Sequence, residues 1–119
     1  MSARHKEIVE AVNAAFARND IEAFLEYCAE DFVWTIVGDE TVAGKEAIRK
    51  WMGSVPSEPP VFSVADVVAE GDLVVTRGDM TMKDQGTTGA YAFCDVWRFR
   101  GDQLVELRAF VIKTDRHST

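Results

Sequence analysis

Apolar residues recur at helical spacing in the first half of this chain and alternate in the second. From His5 to Arg18, the positions Ile8, Val9, Val12 and Phe16 share one helical face. Asn19-Asp20 breaks that pattern, and Asn19 with Glu22 three residues on has the form of a capping box. A second short helix is predicted beyond it, with Ile21, Phe24, Leu25 and Cys28 as its apolar stripe. Phe32 to Val37 (FVWTIV) is β-branched and aromatic and predicts a strand, and Gly38-Asp39-Glu40 turns the chain. Gly44 opens a third helix, KEAIRKWM, whose buried face is Ala47, Ile48, Trp51 and Met52, and Gly53 stops it. SVPSEPP, with three prolines in five residues, is a loop.

The rest reads as strand. Val61 to Glu70, Leu73 to Lys83, Gly89 to Arg100 and Gln103 to Lys113 are separated by the turn sequences EGD, DQGTT and RGD, which predicts a largely antiparallel meander. Helices followed by long antiparallel strands give an α+β fold with three helices on one face of a curved sheet. Such a sheet curls into a cone, and the open end of a cone is a pocket. One domain over residues 1–119 is expected, with polar tails at 1–4 and 114–119.

One strand holds a puzzle. In AYAFCDVWRF, alternation puts Asp95 on the face of Tyr91, Phe93, Trp97 and Phe99. A charged group on an apolar face is costly to bury, so Asp95 is paired, protonated or lining a cavity. In VVTRGDMTMK, Arg77 and Asp79 share one face, while Val74, Thr76, Met80 and Met82 share the other. Arg77 can grip a carboxylate in two places, Asp79 or Asp95 among them, and the alternative is a solvated surface pair. Gly78 between them leaves room for a close backbone neighbour. Trp34, Tyr91, Phe93 and Trp97 are candidate pocket walls, although such aromatics more often serve as core; Trp51 reads as packing.

Composition narrows the classes. The net charge is −7, which disfavours nucleic acid and anionic membrane as partners. No apolar run approaches the roughly 20 residues that span a bilayer, and the polar start lacks the form of a secretory signal. Cys28 and Cys94 sit in dissimilar contexts, as reduced thiols of a cytoplasmic protein do. His5 and His117 are far from either cysteine, so no metal site is expected, and no phosphate loop or nucleophile elbow is present to suggest a cofactor or a serine nucleophile.

The stretch VNAAFARNDIEAFLEYCAEDFVWTIVGDETVAGKEAIRKWM, with the closing CDVWRFRGDQLVELRAF, resembles SnoaL-like proteins of the nuclear-transport-factor-two-like superfamily, which includes the ketosteroid isomerases. The resemblance implies a cystatin-like cone. It also matches Asp95 to the protonated aspartate that donates to the oxyanion in ketosteroid isomerases. Val12 stands at the position of their helix-one tyrosine and Ile36 at that of their general base. Arg77 and Asp79 look like the arginine and aspartate of limonene epoxide hydrolase, whose third acid falls near Ala109 here.

The expected function is acid–base chemistry of isomerase, cyclase or hydrolase type on a small, apolar, oxygenated molecule. Asp95, Arg77 and Asp79 would be its catalytic residues, and Trp34, Tyr91, Phe93 and Trp97 its substrate-binding walls. The alternatives are a non-catalytic ligand-binding protein with the same pocket and a purely structural partner. A homodimer through the outer sheet face is expected, with Val96, Phe110 and Ile112 beside Met80 and Met82.

Overall fold

Two periodicities produce two layers in the structure, a computed structural model that describes residues 2–53, 60–84 and 86–114. The helices are α1 (Ser2–Ala17), α2 (Ile21–Leu25) and α3 (Lys45–Gly53). The strands are β1 (Cys28–Ile36), β2 (Thr41–Ala43), β3 (Val61–Glu70), β4 (Leu73–Asp84), β5 (Thr87–Arg100) and β6 (Gln103–Lys113). The six strands form one curved open sheet in the order β2-β1-β6-β5-β4-β3, with the helices on its inner face: the cone expected from the sequence. The SVPSEPP loop and the last five residues of the tail fall almost wholly outside the described residues.

Local detail departs from expectation in three places. Asn19 adopts φ 57° and closes α1, while Asp20 caps α2 by accepting a hydrogen bond from the Ala23 N–H at 3.1 Å. A short polar side chain tolerates the left-handed conformation, so Asn19 serves the turn rather than the cap. Cys28 begins β1 instead of ending α2. Finally, β1 lies parallel to β6, and the short β2 hairpins onto β1, so the sheet is mixed at that end.

The core lies between α1, α2 and the sheet: Ile8, Val12, Phe24, Leu25, Phe32 and Leu104 are fully buried. His5 is buried with them, stacked on Phe99 at 4.0 Å, and its Nε2 donates to the Gly101 carbonyl at 2.8 Å. Both cysteines are free; burial pushes the Cys28 thiol up to about 12, so it is no nucleophile at neutral pH. No helix among the described residues is long and apolar enough to cross a membrane.

Candidate functional site

Strand register decides what faces inward. On β4 and β5, Val74 pairs with Trp97, Thr76 with Asp95, Gly78 with Phe93 and Met80 with Tyr91. Val74, Thr76, Phe93 and Trp97 are buried, so this set points toward the helices and the intervening residues point out.

A cavity of about 470 Å³ opens between that inner face and the helices. Trp34, Phe93 and Asp95 line it, together with Asn13, Phe16, Trp51, Phe62, Met80 and Met82. Ala109 lies in register with Asp95 on β6, and its small side chain leaves space beside the carboxyl. Asp95 is the one ionisable group among the described lining residues. Burial among these apolar walls pushes its carboxyl up to about 7. No hydrogen-bond donor among the described residues reaches it. The indole N–H of Trp97, two residues along the same face, donates instead to Thr76 Oγ1 at 3.0 Å. A second polar atom is unspent: Trp34 Nε1 is buried and meets no acceptor among the described residues.

The aromatic walls meet at right angles. Trp34 and Trp51 are 5.2 Å apart at 80°, and Phe62 and Phe93 are 6.3 Å apart at 90°. Both pairs meet edge to face, the arrangement aromatic quadrupoles favour.

Several expected site residues stand elsewhere. Arg77 and Asp79 occupy the outward parity of β4 and are exposed. Arg77 Nη2 pairs at 2.6 Å with Asp66, its register partner across the β3 bulge, so this is a surface cross-strand ion pair and no part of the cavity. Trp97 is wholly buried beneath the cavity as core. Tyr91 lies toward the far end of β5, in a shallow groove with Asp79, Thr81 and Ala90. Met80 and Met82 line the cavity and therefore do not belong to an outer interface. Phe110 and Ile112 do face outward, and both are exposed.

Asn13 and Trp51 also line the cavity, beyond the walls expected from the sequence. Asn13 carried a readable signal: with Val9, Val12 and Phe16 it forms an i, i+3, i+4, i+7 set, so it interrupts an otherwise apolar stripe. Val12, at the matched tyrosine position, is core.

The Trp97–Thr76 bond supplies a test of the floor. Thr76→Val removes the acceptor and strands a buried indole N–H, which is expected to cost about 2 kcal/mol in urea denaturation. A loss below about 0.5 kcal/mol would show that the bond contributes nothing.

Among solved structures, an NTF2-like protein of unknown function from Burkholderia pseudomallei superposes with a TM-score of 0.84 at 22% identity, covering 92% of this chain and 90% of its own. An LEH-like epoxide hydrolase of M. tuberculosis gives 0.83 at 15% identity, covering 92% and 84%. A putative SnoaL-like polyketide cyclase from Jannaschia gives 0.82 at 16%, covering 92% and 86%. At these identities the likeness establishes the fold. A search of curated proteins finds no match. The model of the SnoaL-like domain matches residues 9–107, most of the cone just described, and this chain belongs to the SnoaL-like family.

Proposed function

We propose that this protein acts on a small, mostly apolar, oxygenated molecule held in the cone, with Asp95 as the group that takes and returns a proton. The observation that carries this reading is the carboxyl in the cavity, unpaired among the described residues and raised to about 7 by burial. A general acid–base works best when it titrates near the operating pH. With a single ionisable group on the described lining, the chemistry it suits is an isomerisation, in which one carboxylate removes a proton beside a carbonyl and delivers it to another atom. The cyclase and hydrolase among the structural neighbours keep those reaction types open for the fold.

The test needs no known substrate. Small cyclic ketones in heavy water are expected to exchange α-protons faster with the protein than with buffer, as read by NMR. The rate is expected to be half-maximal at pH about 7, and Asp95→Asn to lower it by roughly 10²–10⁴. Exchange equal to buffer across a ketone series would remove the catalytic reading.

A second reading keeps the pocket without turnover. It draws on the outward placement of Arg77 and Asp79, which leaves Asp95 with no second ionisable partner on the described lining. A hydrophobic molecule recovered unchanged from the cavity would support it. In either reading we propose a cytoplasmic homodimer closed over the outer face at Val96, Phe110 and Ile112, with neither nucleic acid nor membrane as partner. Exposed apolar side chains at Phe110 and Ile112 support that contact, and the free cysteines suit a reducing compartment. A monomer by sedimentation at micromolar concentration would overturn the dimer.

A further inference from the structure

The charge balance of the cavity points to a ligand class beyond the neutral oxygenated molecules considered so far. We propose that the cone accepts an organic cation, an ammonium group carried on an apolar body, with its charge beside Asp95 and its carbon atoms against the aromatic walls. The inference uses the same site but rests on binding alone, so it stands or falls apart from turnover.

Three observations converge. First, Asp95 faces a cavity that offers it no countercharge: on α1, α2, α3, β1, β3, β4 and β6, no described lining residue is charged. The arginines of β4, β5 and β6 are exposed and turned elsewhere: Arg77 pairs with Asp66, Arg98 with Asp72 and Glu106, and Arg100 with Asp31, while Arg108 lies over the outward Phe110 ring at 5.8 Å. A carboxylate so placed is stabilised by a cation brought in by the ligand, and it repels an anion.

Second, the walls supply what a weakly hydrated cation needs. Trp34 with Trp51, and Phe62 with Phe93, form two perpendicular aromatic corners, and Phe16 adds a ring 5.7 Å from Trp34. The ring faces attract a cation within about 6 Å, most strongly for tryptophan and most of all where water is excluded. Third, a net charge of −7 raises the local concentration of cations around the molecule and lowers that of anions.

Benzyltrimethylammonium is the probe, because its charge does not titrate and its size suits a cavity of about 470 Å³. Neopentylbenzene is its neutral carbon isostere, and phenylacetate supplies the opposite charge. Binding is read from the fluorescence of Trp34 and Trp51 and by calorimetry at pH 6 and pH 8. The cation is expected to bind about tenfold more tightly at pH 8 than at pH 6, since Asp95 ionises between them. Phenylacetate is expected not to bind.

Asp95→Asn is expected to weaken the cation at least tenfold at pH 8 and to flatten its pH dependence. Trp51→Leu tests the wall separately, lowering affinity for the cation more than for the isostere, and circular dichroism checks that both variants fold. An isostere that binds as tightly as the cation at pH 8, or a cation indifferent to Asp95→Asn, overturns the inference. Failure of the cation alongside Asp95-dependent ketone exchange would overturn it while leaving the proton-transfer reading intact.

Discussion

Asp95→Asn is expected to make the protein more stable by about 3 kcal/mol at pH 8 while changing little at pH 4. The carboxyl titrates near 3.8 in the unfolded chain and is raised to about 7 in the folded one. Between those values the native state binds more protons than the unfolded state, so stability falls as pH rises and is lowest above pH 7. Below pH 4 the group is protonated in both states and the contribution vanishes. Three pH units correspond to about 4 kcal/mol, and a buried amide retains part of the desolvation cost, which brings the expected gain to about 3 kcal/mol.

That is a large share of the roughly 5–15 kcal/mol that holds a domain folded. Urea denaturation of both proteins across pH 4 to 8 measures it, and taking the difference cancels the titration of the other acids. A difference that does not grow with pH would mean that Asp95 is not held in an apolar setting, and both ligand proposals would lose their basis. A residue that destabilises the fold at working pH is the kind kept for function.

The second large effect concerns the rim. Gly78→Ala is expected to cost about 3 kcal/mol and to loosen β3. A Cβ at Gly78 would overlap the Ser63 carbonyl oxygen and lie 3.0 Å from Val64 Cα. Both belong to the backbone of β3 beside its bulge between Val64 and Asp66, so no side-chain rotation relieves the clash. Moving β3 away would also withdraw Phe62 from the cavity wall. Chemical denaturation gives the stability change, and hydrogen exchange at β3 amides shows where it falls. An alanine accepted within about 0.5 kcal/mol would show that the edge strand shifts freely.

Much of this was legible before the fold. Periodicity placed the three helices and the long strands because burial of one face is a local pattern at 3.6 or 2 residues. The same alternation put Asp95 among Phe93, Trp97 and Phe99, and set Arg77 and Asp79 apart from Met80 and Met82. Gly78 was readable as a point of close approach for the same reason.

Which face turned inward was not decided by alternation alone. It followed from the pairing of β4 with β5, which aligned Thr76 with Asp95 and sent Arg77 out to meet Asp66. Bulges in β3 and β6 reset parity partway along the strand, and a one-residue slip moves every later side chain to the other face.

Only the packed structure made Trp97 core and Trp51 wall, because that depends on how far each lies from the open end of the cone. The three-residue β2 and the parallel β1–β6 pairing were equally out of reach, since a short edge strand and a contact between distant segments leave no period to read. The chain by itself determined its elements and placed an acid among aromatics. Tertiary structure determined that the acid looks into a hollow, because only the spacing between layers decides whether an apolar face is filled or left open.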